Sequence, residues 1–253
     1  METSSTELIK RRFSKAVNTY DQYAQAQHLI CEHLVNILTR YSDNRFKRIL
    51  EIGCGSGGFT RLLKQECQIG EWVLNDLCDS WEGSIRHLFP YAQPDFLVGD
   101  AESLDFPGKF DLIASASTVQ WMKDLPHFFH KVSSSLSPNG VFIFNTFSPG
   151  NLPEIKDLTG IGLDYPNEDS IRDWLTRDFQ VLHSESCRIF LHFKNPIEVL
   201  RHLKYTGVTA ISSSGWTREK QERFCEEYEK RYKTTDGKCT LSYYPLYFLA
   251  VKR

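Results

Sequence analysis

Apolar residues near the start of the chain recur at intervals of three and four positions. The pattern covers residues 13–38 and weakens near Asp21 and Gln25. Such spacing is typical of amphipathic helices, and the weak stretch fits either two helices or one bent helix. Residues 1–10 are polar, and we expect them to be frayed.

Short apolar runs then alternate with further helical patterns. This alternation predicts βα units and a parallel sheet. The predicted strands cover roughly residues 46–50, 72–75, 96–98, 109–115 and 141–147. Residues 137–140 read as a turn before the fifth of them.

The last hundred residues carry a mixed pattern. After a predicted linker come a helix capped by Asn167, one long strand over residues 179–193, helices over 196–205 and 217–232, and a final strand over 241–251. We expect an α/β fold with a doubly wound, mostly parallel seven-stranded sheet. The chain should form one structural domain of three parts, with a helical lid inserted at about 195–235. The parts are an N-terminal helical cap (1–44), a Rossmann-like core (45–150) and a segment that completes the sheet (151–253).

A glycine-rich turn joins the first predicted strand to the next helix. Gly53, Gly55, Gly57 and Gly58 allow a ligand to approach bare backbone, and the helix N-terminus behind them favours an anion. The spacing satisfies both the dinucleotide fingerprint G-x-G-x-x-G and the E-x-G-x-G-x-G loop of class I S-adenosylmethionine methyltransferases. Glu51 favours the second, because its carboxylate would repel a pyrophosphate but can hold the ammonium of a methionine moiety.

Polar residues follow the second, third and fourth predicted strands, where ligands of open α/β sheets lie. Asp76 is placed to accept ribose hydroxyls, which suits NAD and S-adenosylmethionine alike. Asp100 follows the third strand, where S-adenosylmethionine enzymes commonly have an acidic residue that can accept the adenine amino group. Gln120 and Trp121 follow the fourth strand and are candidates for positions near the reacting atoms.

Composition and charge narrow the class of protein. The chain has 253 residues and a net charge of −2, so it is not an obvious nucleic-acid binder. Its seven cysteines form no C-x-x-C pair, which predicts a reduced, cytoplasmic protein with no metal site. No apolar run approaches 18 residues and no signal peptide is visible, so we expect no membrane association.

Five motifs occur in the order of the S-adenosylmethionine methyltransferase core. More narrowly, the chain resembles the malonyl-[acyl-carrier protein] O-methyltransferase family of biotin synthesis over almost its full length. The narrower resemblance rests on F-x6-Y-D-x2-A-x2-Q (Phe13, Tyr20, Asp21, Ala24, Gln27), on Gln120-Trp121, on L-R-H-L-K-x-T-G (residues 200–207) and on L-S-Y-x-P-L-Y (residues 241–247).

Two positions depart from the pattern. Asn75-Asp76-Leu77 stands where G-x-D-x-S is common, which bears on contacts around the ribose. Ser212, Ser213 and Ser214 replace a small apolar stretch in the lid.

The resemblance implies methyl transfer from S-adenosyl-L-methionine to the free carboxylate of a malonyl group on acyl carrier protein, by a monomeric enzyme. Arg201 would bind that carboxylate and Tyr20 would hydrogen-bond it or close the site, with Gln120 nearby. The implied cofactor residues are Glu51, Gly53, Gly55, Gly57, Asp76, Leu77, Asp100, Ala101 and Trp121. The carboxylate is ionised at neutral pH, so no general base is needed.

Two other functions fit the same residues. One is an S-adenosylmethionine methyltransferase for another small molecule, such as a free carboxylic acid or a quinone precursor, which would differ at Tyr20 and Arg201. The other is a non-catalytic nucleoside-binding protein that regulates a partner. Turnover on an acyl carrier protein would exclude both alternatives, whereas cofactor binding without such turnover would favour the non-catalytic protein.

Overall fold

A computed structural model describes residues 5–207 and 217–253. Nine strands are found in these ranges, and seven of them form one central sheet. The strands are β1 (Arg45–Ile52), β2 (Gln68–Asp76), β3 (Asp95–Val98), β4 (Phe110–Ser115), β5 (Leu136–Phe147), β6 (Phe179–Ser186), β7 (Ile189–Phe193), β8 (Cys239–Tyr243) and β9 (Pro245–Lys252).

The central sheet has the order β3-β2-β1-β4-β5-β9-β6, and only the pairings of β9 are antiparallel. The chain passes outward from β1 to β3 and then returns to β4 on the other side of β1. The carboxyl ends of β1 and β4 therefore form a topological switch point, where open α/β sheets bind ligands. The predicted doubly wound, mostly parallel seven-stranded sheet is confirmed.

Helices cover both faces of the sheet, because each buries one apolar stripe against it. Polar side chains cap the N-termini of several helices. For example, the Asn195 side chain accepts a hydrogen bond from the Glu198 N–H at the start of α9. The helices are α1 (Ser5–Ala16), α2 (Tyr20–Tyr23), α3 (Gln25–Tyr41), α4 (Gly58–Glu66), α5 (Glu82–Leu88), α6 (Leu125–Ser135), α7 (Pro153–Thr159), α8 (Glu168–Leu175), α9 (Pro196–Tyr205) and α10 (Arg218–Tyr232).

The N-terminal region differs from the sequence prediction. Residues 5–10 are helical rather than frayed. Thr6 and Ile9 of this helix line the cleft at the switch point, so the segment has packing partners. The weak stretch separates three helices, with breaks at Thr19 and Ala24. Helix α7 occupies part of the predicted linker. The division into cap, core and lid stays a prediction, and the serines at 212–214 lie outside the described residues.

Two predicted single strands are each divided between two sheets. Strands β6 and β9 pair in the central sheet, while β7 and β8 form a separate two-stranded sheet. Both divisions fall at the same level, after Cys187 on one side and at Tyr244 on the other. Pro245 begins β9, which is a position where a residue without an N–H is tolerated in a strand. The predicted turn over residues 137–140 is instead part of β5, with Asn139 at φ +61°.

None of the described helices combines the length and hydrophobicity that a bilayer crossing needs.

Helix α9 is held in place by a buried histidine. The His202 side chain hydrogen-bonds the Tyr243 hydroxyl of β8 at 2.7 Å and the backbone of Tyr23. The residue is 1% exposed. Burial lowers the pKa of His202 to about 4, and the contact with Tyr23 offsets this only in part. The ring is therefore neutral at pH 7 and joins α9 to both β8 and the N-terminal helices.

We expect this histidine to make the fold sensitive to acid. In the unfolded chain His202 is protonated below about pH 6.5, the ordinary pKa of histidine, whereas in the folded chain it stays neutral until about pH 4. The free energy of unfolding should therefore fall as the pH drops through this window, by ~1.4 kcal/mol per unit of pKa difference. Urea titrations between pH 7 and pH 4 should show a shallower decline in His202→Gln than in the parent. His127→Gln, at an exposed position, should keep the parent slope, and equal slopes in all three would exclude this role.

Candidate active site

A cleft opens at the switch point. Its floor is the glycine loop after β1, its sides are the ends of β2, β3 and β4, and its roof is α1. Seven of the nine predicted cofactor residues line it: Gly53, Gly55, Asp76, Leu77, Asp100, Ala101 and Trp121.

Glycine is needed at different positions of the loop for different structural reasons. Gly53 has φ +72°, and a Cβ there would lie 2.0 Å from Thr118 Oγ1, so Gly53 lets the loop pack against the segment after β4. Gly57 begins α4 at φ +82°, and its Cβ would lie 2.5 Å from Leu88; it is not on the cleft surface. Gly55 has φ +52° and faces open space in the cleft, with no atom within 4 Å of a built Cβ. Of the two loop glycines that line the cleft, Gly53 and Gly55, Gly55 is therefore the one that leaves open space for a ligand.

Asp76 fixes the loop and lines the cleft at the same time. Its Oδ2 accepts a hydrogen bond from Gly55 N at 2.9 Å, and its Oδ1 accepts one from Cys78 N at 2.8 Å. Burial raises the pKa of Asp76 to about 6, against the lowering effect of these two N–H groups. The carboxylate keeps lone pairs that can accept ligand hydroxyls.

Glu51 lies beneath the loop rather than on the cleft surface. It is 1% exposed and accepts a hydrogen bond from Thr60 Oγ1 at 2.7 Å. Burial raises the pKa of Glu51 to about 8, although the Thr60 hydroxyl opposes the shift. A cation in the cleft would favour the ionised carboxylate through its field.

Asn75 explains one departure from the family pattern. Its Nδ2 donates to the backbone oxygens of Leu97 and Gly99, each at 3.0 Å, and so holds the turn after β3. Asp100 sits in that turn, where its Oδ1 also accepts from Glu102 N. In the sequence, the signal for this role was an asparagine at the end of a predicted buried strand. Buried polar side chains almost always form hydrogen bonds, as Asn75 does here.

A second, smaller chamber adjoins the cleft. All four motifs of the narrower resemblance contribute to its wall. They supply Phe13, Tyr20 and Gln27, then Gln120 and Trp121, then Thr206, and finally Tyr243. Four residues line both the cleft and the second chamber and so form the boundary between them: Phe13, Tyr20, Ser117 and Trp121.

Several buried polar atoms in this chamber have no hydrogen-bond partner among the described residues. They are Gln27 Oε1, Ser117 Oγ and Gln120 Oε1. Gln120 Nε2 donates to the Ser117 carbonyl oxygen at 2.6 Å, which fixes the orientation of that amide. Unpaired buried polar atoms are rare in folded proteins, so these atoms point to a polar ligand.

Ser117 was not predicted as a site residue. It has φ +53°, an uncommon conformation for a residue with a side chain, and its N–H is held by Asn145 Oδ1 at 2.7 Å. Such backbone strain is often found at functional sites. The sequence carried no signal for it, because a serine in a loop is ordinary.

Tyr20 stands at the boundary with its ring among aromatic neighbours. The ring centroids of Trp81 and Phe13 lie 5.7 and 6.4 Å away. Burial raises the pKa of Tyr20, and the nearby Cys31, Asp21 and Asp76 raise it further, so the hydroxyl remains a donor at neutral pH. The adjacent Asp21 accepts a hydrogen bond from Ser56 Oγ at 2.5 Å, which ties α2 to the glycine loop.

Arg201 is the predicted catalytic residue that the structure does not bring to either chamber. Val199, His202 and Leu203 form the buried face of α9, whereas Arg201 and Lys204 lie on its exposed face. Within residues 5–207 and 217–253, the Arg201 guanidinium forms no ion pair. It is an accessible cation on α9, the helix whose C-cap, Thr206, lines the second chamber.

Comparison with known proteins places this geometry in a family. Residues 50–144 match the family model described as a methyltransferase domain. The malonyl-[acyl-carrier protein] O-methyltransferase of Porphyromonas gingivalis is 44% identical over 97% of this chain and 95% of its own length. Two methyltransferases are among the solved structures that share the fold. One, from Bacillus halodurans, is described as a methyltransferase and has a TM-score of 0.64 at 14% identity, covering 88% of this chain and 98% of its own.

The other is the N-methyltransferase NodS of Bradyrhizobium japonicum in complex with S-adenosyl-L-homocysteine. It has a TM-score of 0.54 at 13% identity and covers 91% of this chain and 87% of its own. These findings confirm the predicted enzyme class and cofactor, S-adenosyl-L-methionine. By its sequence similarity along almost the entire chain, this protein belongs to the malonyl-[acyl-carrier protein] O-methyltransferase family.

Proposed function

We propose that this chain methylates the free carboxylate of malonyl-[acyl-carrier protein], giving the malonyl methyl ester and S-adenosylhomocysteine, an early step of biotin synthesis. One observation carries the proposal. The four motifs that mark the narrower family meet in the second chamber, directly beside the cleft that fits the cofactor. A methyltransferase for an unrelated acceptor would have no need of that shared wall.

The residues of the cleft fit S-adenosyl-L-methionine. Gly55 leaves open space at the floor, Asp76 offers acceptor lone pairs for the ribose hydroxyls, and Asp100 is available to the adenine amino group. Glu51 and Asp76 give the cleft a negative potential when ionised, which favours a ligand that carries a sulfonium and an ammonium. The bound cofactor supplies an electrophilic methyl group.

The second chamber would receive the malonyl group. Tyr20 and Tyr165 lie in its wall, and burial raises the pKa of Tyr165 to about 12, although Asn151 opposes the shift. Both hydroxyls therefore stay protonated at pH 7 and can donate to a carboxylate. The Tyr165 oxygen already accepts from Asn151 Nδ2 at 3.2 Å, which leaves its proton free for the substrate.

The contribution of these residues to the rate is orientation and exclusion of water. The substrate carboxylate needs no base, so the protein has to hold it in line with the reacting methyl group. Phe13 and Trp121 meet edge to face with centroids 5.9 Å apart and shield the boundary from solvent. A dry boundary favours a reaction in which opposite charges are neutralised.

Arg201 is assigned to the substrate carboxylate as well. Support comes from the family motif and from its position on α9, whose Thr206 lines the chamber. Because Arg201 is exposed, it would meet the carrier-bound substrate from outside the enclosed part of the chamber.

We further propose that the enzyme is a cytoplasmic monomer that binds neither nucleic acid nor membrane. All seven cysteines lie in the described ranges and are unpaired, which suits a reducing compartment.

The proposal is tested by transfer of labelled methyl to malonyl-[acyl-carrier protein], with acetyl-[acyl-carrier protein] and free malonate as alternative acceptors. Only the first should become labelled. Tyr20→Phe should lower the rate by about 10- to 100-fold, since a hydrogen bond to a charged group is worth ~1.5–3 kcal/mol. Tyr91→Phe, at a fully exposed tyrosine, should match the parent. Labelling of free malonate at an equal rate would instead favour a methyltransferase of small acids.

A further inference from the structure

A cluster of potential metal ligands lies outside both chambers. His183, Glu185 and Cys187 alternate along β6 and its continuation, so their side chains share one face of the strand. His33 of α3 faces them. The donor atoms of His33, Glu185 and Cys187 all lie within 4.8 Å of one another. The cluster therefore joins the N-terminal helices to the edge strand of the central sheet.

The donors converge on a single point. His33 Nε2 hydrogen-bonds Glu185 Oε1, and the same nitrogen lies 3.9 Å from Cys187 Sγ. In a nucleophile–base–carboxylate relay, the imidazole would use a different nitrogen for each partner. Here one nitrogen faces both the carboxylate and the thiol. That arrangement is typical of ligands around one ion and unsuitable for a proton relay.

A fourth nitrogen, from His183, lies beside Glu185, although it is not one of the three donors that all lie within 4.8 Å of one another. His183 Nε2 is buried, makes no hydrogen bond to any described residue and lies 3.4 Å from Glu185 Oε1. The other ring nitrogen of His183 contacts the Tyr41 hydroxyl at 3.1 Å. A hydrogen bond at the distal nitrogen is the usual way in which proteins orient a metal-binding histidine.

The cluster is accessible. The side chains of His33 and Glu185 are 37% and 34% exposed, so an ion can enter from solvent. A bound cation would take the place of the Cys187 thiol proton.

We propose that His33, Glu185 and Cys187 bind a divalent cation of borderline softness, best matched by Zn²⁺, with His183 as the fourth donor. Nitrogen, sulfur and carboxylate oxygen in a four-coordinate set are the ligands of protein zinc sites. No residue assigned to methyl transfer belongs to this set. The ion would fasten α3 to β6 and so brace the N-terminal helices that roof the cleft.

The experiment uses the full chain, freed of metal with a chelator and then titrated with Zn²⁺ against a chromogenic competitor. The parent should bind one Zn²⁺ per chain and unfold at a higher temperature when loaded. His33→Ala, Glu185→Gln and Cys187→Ser should each weaken binding at least about tenfold. Cys225→Ser, at another half-buried cysteine, is the matched control and should bind as the parent does.

Cobalt reports on the ligands directly. The Co²⁺-loaded parent should show sulfur-to-metal charge-transfer absorption that Cys187→Ser lacks and Cys225→Ser keeps. The proposal is overturned if the parent binds Zn²⁺ no better than the three ligand variants, or if Cys225→Ser loses binding equally. Either result leaves the methyltransferase assignment intact, because that assignment is read from methyl transfer alone.

Discussion

Gly55→Ala is expected to weaken binding of S-adenosylhomocysteine by about 10- to 100-fold while the protein remains folded. A built Cβ at Gly55 meets no protein atom within 4 Å, and Gly55 lines the cleft. The protein itself therefore tolerates the extra methyl sterically, and the ligand does not. Overpacking of a fitted site costs roughly 1–3 kcal/mol, and each 1.4 kcal/mol is about a tenfold change in affinity. Isothermal titration calorimetry measures the loss.

Backbone strain has to be separated from loss of space, and the chain offers a matched control. Gly160 ends α7 at φ +67°, also with no atom within 4 Å of a built Cβ, but lies far along the chain from the cleft residues. Alanine at either position adopts an unfavourable left-handed conformation, at about 1–2 kcal/mol. Both variants should therefore lose similar thermal stability, and only Gly55→Ala should lose affinity. Parent-like affinity in Gly55→Ala would move the cofactor site away from the glycine loop.

Arg201→Ala should lower kcat/KM on malonyl-[acyl-carrier protein] by about 10- to 100-fold, with unchanged affinity for S-adenosylhomocysteine. The loss corresponds to a charge-assisted hydrogen bond of ~1.5–3 kcal/mol. Arg201→Lys should recover only part of the activity, because an ammonium cannot reproduce the planar fork of a guanidinium. Steady-state kinetics on the carrier-bound substrate provides the measurement.

Lys204 is the natural comparison, since it shares the exposed face of α9 with Arg201. If Arg201 contacts the carboxylate specifically, Lys204→Ala should lose less than about threefold, the range expected for an exposed charge. Equal losses that disappear in high salt would show instead that both residues only attract the acidic carrier. In that case recognition of the carboxylate would belong to the hydroxyls inside the chamber.

The cofactor cleft could be predicted from sequence because its determinants are local. The glycine loop, Asp76 and Asp100 each follow a short apolar strand, and parallel strands bring their carboxyl ends to one edge. The positions of these residues in the fold therefore follow from chain order alone. Glu51 was also recognised, but its burial beneath the loop depends on Thr60 of α4, which a linear pattern does not reveal.

The second chamber was less predictable because its wall is assembled from distant segments. The motifs named its residues, but which face of α9 they occupy depends on the helical phase set by packing of His202 against Tyr243. That phase directs Thr206 inward and Arg201 outward. Ser117 was missed since its left-handed backbone is imposed by Asn145 of the next strand. The division of the long C-terminal strands likewise depends on pairing partners rather than on composition.

The position of Phe13 bears on the order of events during turnover. Its ring belongs to the wall of both chambers, and it packs so closely on Gly207 that a Cβ there would lie 2.8 Å from the ring. A movement of α1 that displaces Phe13 would therefore open both spaces at once. For this reason we expect release of the spent cofactor and entry of the next substrate to be coupled through the first helix.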